Sequence, residues 1–140
     1  MNRKRRTEIL IRGRRKLSEK LSEEIKNKYE IKNVQDPENG LVMIKMRETA
    51  KKQLFYLGEV LVTEAKVSIN GNLGLGIVNG DEEKLAYDLA VIDAAYNAEL
   101  NETKMWDDLL IAEEQMINEL ERKESAKIME TKVDFTTMNV

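Results

Sequence analysis

The 140-residue sequence contains no cysteine and no histidine, and it has only one proline and one tryptophan. Without cysteine, the chain has no disulfide, thiolate nucleophile, zinc–thiolate site or iron–sulfur ligand of its own. Without histidine, it lacks the commonest general base, the commonest metal ligand and the near-neutral pH switch. Any catalysis by the chain alone therefore rests on carboxylates, Lys, Tyr or Ser/Thr, and the composition disfavours a stand-alone enzyme.

Long apolar runs are also absent, since no stretch approaches the ~20 residues needed to span a bilayer. The basic N-terminus is not followed by an apolar segment with a small-residue cleavage site, so we predict no signal peptide. Apolar residues make up 41% of the chain and charged residues 35%, which is typical of soluble globular proteins. We therefore expect a cytoplasmic protein without membrane association, folded as a single domain over residues 1–140.

Charge is distributed unevenly along the chain. Residues 1–16 hold eight Lys/Arg and one acid, which leaves 15 bases and 25 acids for the other 124 residues. One alternative function is therefore a small nucleic-acid-binding module. Its cations would be Arg3, Lys4, Arg5, Arg6, Arg12, Arg14 and Arg15. The simpler interpretation is a solvated helix face or a head that pairs with an acidic partner. Only seven residues are aromatic, so a stacking platform for bases is not evident and nucleic acid is not the favoured partner.

The first 28 residues predict a helical head. Leu17, Leu21 and Ile25 recur every four residues and line one helix face. Gly13 is expected to separate a short helix at about 4–12 from a second at about 14–28. Ser18 and Ser22 are expected on the solvated side of the second helix.

Residues 29–80 predict an antiparallel meander of three or four strands. Pro37 and Asn39-Gly40 indicate a reversal of the chain. Gly58 interrupts an extended run too long for one undistorted strand, so we expect a bulge or bend there. Asn70-Gly71 is a strong hairpin signal. Beyond it, Gly74 and Gly76 share a strand face on which another element can approach the backbone closely.

Residues 81–130 predict a pair of helices, with Asp81 and Thr103 as N-caps. Leu85, Leu89, Ile92 and Tyr96 form the buried stripe of the first helix, and Leu109, Leu110, Met116, Ile117 and Leu120 form the apolar side of the second. Residues 131–140 are too apolar for a solvated tail. They either clip onto the chain's own sheet or dock into another subunit. The order of elements predicts an α+β fold.

Two sets of residues merit a chemical interpretation. Arg47, Gly58-Glu59 and Thr63 could hold a phosphate or carboxylate, but an amphipathic sheet face with a cross-strand ion pair explains them as well and is favoured. Asp88, Asp93, Asp107 and Asp108 could bind Mg²⁺ in a stand-alone metalloenzyme. Surface charge is the favoured interpretation of these four, although the position of Asp93 at the margin of the buried stripe could place it against the sheet. We assign no metal ligands.

Four ordered segments carry a family resemblance: ENGLVMIKMR (38–47), FYLGEVLVTEAKV (55–67), GDEEKLAYDLAVIDA (80–94) and VDFTTM (133–138). Together they resemble the G subunit family of the bacterial carbon–phosphorus lyase system for phosphonate breakdown. The resemblance runs in the same order along nearly the whole chain.

The resemblance implies a place in a hetero-oligomeric core complex with subunits H, I and J, with direct contact to I. In that system subunits G, H, I and L together displace adenine from ATP with a phosphonate, giving α-D-ribose 1-methylphosphonate 5-triphosphate. Subunit J later cleaves the carbon–phosphorus bond with an iron–sulfur cluster and S-adenosylmethionine. The implied role is an accessory subunit without a cofactor of its own, and ATP with Mg²⁺ is a substrate of the assembled complex.

Matching positions supply the candidate residues. The site candidates are Arg47, Gly58, Glu59, Thr63 and Asp93, and the partner-interface candidates are Val133, Asp134, Phe135 and Met138. No catalytic residue is assigned. The chain departs from the family at Thr49 and Ala50, where a Gly-Gly pair is usual, at Lys52, where a Gly is usual, and at Glu64, which replaces an Arg and reverses the charge.

Overall fold

A computed structural model describes the backbone of residues 1–47 and 54–138 and the side chains of residues 1–43 and 58–127. The elements in chain order are α1 (Arg3–Arg12), α2 (Arg15–Lys28), β1 (Lys32–Arg47), β2 (Leu54–Ile69), β3 (Asn72–Asn79), α3 (Glu83–Asn97) and α4 (Thr103–Met138). The three strands form one antiparallel sheet in the order β1-β2-β3. The predicted α+β fold is confirmed.

The helical head forms as the sequence predicts. Gly13 ends α1 and donates its N–H to the Ile9 carbonyl at 2.8 Å. A Cβ at this position would lie 2.7 Å from the same carbonyl oxygen and 2.8 Å from Cγ of Glu113 on α4, so only glycine fits without a shift. The expectation that Ser18 and Ser22 are solvated is wrong. Both are fully buried, because α2 packs along α3 on that side.

β1 is continuous where a reversal was predicted. Asn39 pairs with Thr63 and Gly40 with Val62, so the chain stays extended through the predicted turn. Irregularities in the register on either side of Gln35 accommodate the segment around Pro37. Proline is tolerated here because β1 is an edge strand, where a missing N–H costs little.

The two glycine predictions in the sheet are confirmed. Asn70 and Gly71 both have positive φ, 50° and 81°, as a two-residue turn of the type I′ class requires. Gly58 has φ 147° and lies next to a shift in register between Ile44 and Lys45. The shift is a bulge that bends β2.

α3 packs directly on the sheet through two glycines of β3. A Cβ at Gly74 would lie 2.1 Å from the Ala90 carbonyl oxygen, and one at Gly76 would lie 2.1 Å from that of Ala86. With this close approach, ten of the fifteen residues of α3 are buried, well beyond the predicted stripe. The surrounding core includes Leu21, Ile25, Val67, Ile69, Ile92, Trp106 and Leu110.

Both predicted helix caps are wrong. Glu82, not Asp81, occupies the N-cap position of α3, and its side chain makes no cap hydrogen bond. The backbone N–H of Glu82 is instead bound by a residue of the sheet, because the Thr63 hydroxyl on β2 accepts it at 3.0 Å. Thr103 is the first residue of α4, and its hydroxyl donates to the Leu100 carbonyl at 2.6 Å.

The second C-terminal helix is longer than predicted. Its backbone is helical through Met138, where the sequence predicted a separate tail from residue 131. The side chains of Val133, Asp134, Phe135 and Met138 lie outside the described residues, so their docking role stays a prediction. Within the described part of the chain, no helix is both long and apolar enough to span a bilayer.

Candidate functional site

The most conspicuous surface feature is a two-stranded ribbon. β3 ends at Asn79, which pairs with Val62, whereas the pairing of β1 with β2 continues outward to Arg47 and Leu54. Residues 41–47 and 54–61 therefore form a ribbon that has no third strand among the described residues. At ~3.3 Å per residue, it extends about 25 Å past the end of β3.

The ribbon exposes apolar side chains on both faces. Leu41 is 65% exposed, Met43 53% and Leu61 40%, and these three share a face because Leu41 pairs with Leu61. Val42, on the opposite face, is 48% exposed. An isolated two-stranded ribbon is marginal in water, and exposed contiguous apolar surface marks interaction sites. The ribbon therefore has the properties of a surface that another protein covers.

The family-matched residues on β1 and β2 do not converge on one pocket. Arg47 pairs with Leu54 at the outer end of the described ribbon, and its side chain lies outside the described residues. Glu59 is exposed opposite Met43, and Gly58 forms the bulge. Thr63 is nine positions from Leu54 along β2, about 30 Å away at strand spacing. A single phosphate site built from these residues is thus not supported.

Thr63 connects the base of the ribbon to α3. Its side chain is fully buried. Its hydroxyl lies 2.6 Å from the Gly80 carbonyl and 2.9 Å from Oδ1 of Asn39, while it accepts the Glu82 N–H. Asn39 in turn donates to Asp81 at 3.2 Å. Thr63 therefore positions the start of α3 relative to β1 and β2.

Asp93 joins three elements in the interior. It is 5% exposed and accepts hydrogen bonds from Nη2 of Arg3, Nη2 of Arg6 and the backbone N–H of Leu75, each at 2.9 Å. The structure places Asp93 against the sheet, as its position on the helix suggested, and not on the surface. Its carboxylate is committed to binding α1 and β3 to α3.

The environment of Arg6 extends this cluster to α4. Its guanidinium carbon lies 4.0 Å from the centroid of the Tyr96 ring, and the Tyr96 hydroxyl donates to Asp107 at 3.0 Å. Burial, followed by that hydrogen bond, raises the pKa of Tyr96 far above its ordinary value. Tyr96 therefore stays protonated at neutral pH and acts here as a packing and hydrogen-bonding group.

The four candidate carboxylates do not form a metal centre. Asp88 is buried and pairs with Lys26 at 3.2 Å, whereas Asp93 and Asp107 have the separate partners given above. The surface interpretation is therefore wrong for Asp88 and Asp93, and only Asp108 is an exposed residue. Among the residues whose side chains the structure describes, no group of three or more carboxylates could hold a metal ion.

The basic head is neutralised by the chain's own acids. Six of its seven candidate cations have carboxylate partners: Arg3 and Arg6 with Asp93, Arg5 with Glu114, Arg12 with Glu121, Arg14 with Glu113 and Arg15 with Glu82. The acidic partner that the sequence suggested is the body of the same chain. A nucleic-acid module would need these cations free for phosphates, so this alternative loses its main support.

Glu113 is an organising residue that the sequence analysis missed. It is 4% exposed and accepts the backbone N–H of Arg14 at 3.0 Å together with Nε at 3.1 Å and Nη2 at 3.0 Å. The hydrogen bond from the Arg14 side chain lowers the pKa of Glu113 despite burial. Glu113 follows Leu109 by four residues and precedes Met116 by three, so it lies within the apolar side of the helix. A carboxylate at such a position was the sequence signal for a buried, paired acid.

α4 also carries an apolar stripe that faces away from the core. Leu110 is fully buried, but Met105 is 76% exposed, Leu109 39%, Met116 42% and Leu120 59%. At 100° per residue these four exposed side chains fall on one side of the helix. The predicted apolar side of α4 is thus divided between the core and a second exposed surface.

Comparison with known proteins agrees with the ordered motifs. The chain matches the family model described as "Phosphonate metabolism protein PhnG" over residues 1–139. It is similar to the alpha-D-ribose 1-methylphosphonate 5-triphosphate synthase subunit PhnG of Rhizobium meliloti (strain 1021). The two are 30% identical over 118 residues, which cover 81% of this chain and 73% of the relative. The chain therefore belongs to the PhnG family of phosphonate metabolism proteins.

Proposed function

We propose that this chain is an accessory, non-autonomous subunit of a phosphonate carbon–phosphorus lyase core complex. In this role it supports displacement of adenine from ATP by a phosphonate, which gives α-D-ribose 1-methylphosphonate 5-triphosphate. The observation that carries the proposal is the ribbon, whose apolar side chains are uncovered on both faces. The name of the similar subunit, which describes it as part of that synthase, supports the same role.

The internal chemistry supports dependence on other subunits. Asp88, Asp93, Tyr96 and Glu113 each have a protein partner that occupies the reactive group. General acid–base chemistry requires a group positioned to exchange a proton with substrate, and these groups are committed to structure. We therefore assign these four groups no catalytic role and propose that companion subunits supply the catalytic groups of the reaction.

The proposed partners are subunits I, H and J, with I in direct contact and with L required for the synthase step. ATP with Mg²⁺ is a substrate of the assembled complex, and this chain binds no cofactor alone. The proposed location is the cytoplasm, where ATP is available. The apolar faces of the ribbon and the exposed stripe of α4 are the surfaces assigned to these contacts.

Co-expression with subunits I, H and J, followed by native mass spectrometry, tests this assignment. We expect a hetero-oligomer containing this chain, and we expect the double variant Leu41→Asp, Met43→Asp to be lost from it. The matched control is Val34→Asp, because Val34 is also on β1 and 57% exposed but lies outside the ribbon. The proposal is contradicted if the co-expressed wild-type chain purifies without subunits I, H and J. It is also contradicted if the double ribbon variant is retained in the complex as well as Val34→Asp is.

A further inference from the structure

Along the free edge of β3, and within the described residues, side chains of α3 bind the backbone groups of one half, which we call closed, and leave those of the other half unpaired, which we call open. On the closed half, Asp93 accepts the Leu75 N–H at 2.9 Å, and Nδ2 of Asn97 donates to the Leu73 carbonyl at 2.7 Å. Backbone groups of alternate residues point outward along an edge strand. The open half therefore presents the Leu75 carbonyl, both backbone groups of Ile77 and the Asn79 N–H, which have no partner among the described residues.

A groove of about 500 Å³ runs along this open edge. Arg3, Lys4, Thr7 and Glu8 of α1 form one wall, and Leu75 and Ile77 form the other. Its lining is mainly apolar, and Ile77 is 44% exposed. The ion pairs of Arg3 and Arg6 with Asp93 fix α1 as the wall of this groove.

We propose that an extended segment of a companion subunit binds in this groove and adds as a fourth strand to the open half of β3. Unpaired edge groups supply main-chain hydrogen bonds for such strand addition, and the apolar wall supplies a place for alternate side chains. Arg3 is already paired with Asp93, and Glu8 lies on the same wall. Lys4 is exposed and has no carboxylate partner among the described residues, so the segment that fits carries an acidic side chain opposite Lys4. This inference rests on the proposed assembly and identifies a contact additional to the ribbon.

The test exploits the outward direction of the Ile77 N–H. Because this N–H makes no bond within the fold, Ile77→Pro removes the donor that the added strand requires without breaking a hydrogen bond between β2 and β3. Ile77→Val retains the donor and is the matched control. In the co-expressed complex we expect Ile77→Pro to weaken retention of the chain at least about tenfold relative to Ile77→Val. Trp106 fluorescence of the two variants should report the same unfolding midpoint.

Hydrogen–deuterium exchange provides the second readout. The amides of Ile77 and Asn79 should exchange rapidly in the chain alone and slowly in the complex. Equal retention of the two variants, or unprotected amides in an intact complex, overturns the fourth strand while leaving the proposed function in place. A homodimer of the isolated chain that Ile77→Pro abolishes assigns the edge to a second copy and also overturns it. A wild-type chain that assembles with no companion refutes both proposals.

Discussion

Neutralising Asp93 should destabilise the fold strongly, because it leaves a buried cation without its counter-charge. Arg6 is 6% exposed and its Nη2 lies 2.9 Å from the Asp93 carboxylate. In Asp93→Asn the side chain keeps its shape but loses its charge. Its NH2 group then faces N–H donors from which the carboxylate had accepted hydrogen bonds. Breaking a buried ion pair from one side costs about 3–5 kcal/mol.

Two other contacts adjust this magnitude. The Tyr96 ring, 4.0 Å from the Arg6 guanidinium, remains and offsets about 1 kcal/mol. The ion pair of Arg3 adds little, because the Arg3 side chain is 57% exposed and screened by solvent. The expected net loss is therefore about 2–4 kcal/mol in the free energy of unfolding.

The single tryptophan supplies the assay. Trp106 is 1% exposed and lies edge-on to Tyr96, with ring centroids 5.8 Å apart, so its fluorescence reports this cluster. With a urea m-value of about 2 kcal/mol per molar, the midpoint should fall by about 1–2 M. Measurement at submicromolar concentration limits self-association through the exposed ribbon.

Two controls decide the interpretation. Asp108→Asn removes an exposed charge on α4 and should change stability by no more than about 0.5 kcal/mol. The double variant Asp93→Asn, Arg6→Met removes both charges and should recover more than half of the loss, because the stranded cation is gone. If Asp93→Asn unfolds at the same urea concentration as Asp108→Asn, the buried pair does not organise this fold.

Three further changes test other parts of the structure. Gly74→Ala should destabilise the protein by at least about 3 kcal/mol in urea unfolding, because the added Cβ would lie 2.1 Å from the Ala90 carbonyl oxygen. The control Gly40→Ala, whose Cβ would have no atom within 4 Å, should cost less than about 1 kcal/mol. Equal effects of the two substitutions would contradict the packing of α3 on β3. Thr63→Val should cost about 1–3 kcal/mol and Thr63→Ser much less, since only serine retains the hydroxyl; similar losses for both would show that the hydroxyl is not the stabilising group. The pKa of Glu113 is lower in the folded protein, so its ionised form stabilises the fold. This contribution is complete above the unfolded pKa of about 4.3 and is lost as the pH falls through the lower folded pKa. The difference in free energy of unfolding between wild type and Glu113→Gln should therefore narrow from pH 6 to pH 3, and a constant difference in urea titrations would refute this linkage.

The sequence predicted those features of the fold that short-range patterns determine. Asn70-Gly71 requires only two residues that tolerate positive φ, and Gly13 and Gly58 each mark a local break in a regular element. The order of helices and strands follows from apolar periodicity. Gly74 and Gly76 also indicated a close approach, and α3 is the element that makes it.

Errors arose where distant residues override local preference. Pairing with β2 keeps Asn39-Gly40 extended, although this dipeptide favours a turn. A hydroxyl from β2 stabilises the start of α3, so Asp81 is not needed as a cap. The ion pair between Arg14 and Glu113 joins residues 99 positions apart, and no local pattern specifies which acid each arginine meets.

The candidate site was predicted less completely than the fold. The family resemblance drew attention to Asp93 and Thr63, and both prove to be buried connecting residues. Their neighbours Arg6, Leu75 and Glu82 could not be identified without the tertiary structure, because each lies on a different element. The exposure of the ribbon likewise depends on where β3 ends, which the alternating pattern of β2 does not reveal.

Adenine release measured by chromatography from ATP and methylphosphonate tests the central claim most directly. The reaction is run with this chain alone, with companion subunits H, I and L alone, and with all four together. Dependence on assembly predicts adenine and the ribose triphosphate product only in the complete mixture. Turnover by the purified chain without companions, or full turnover in its absence, would contradict the assigned role.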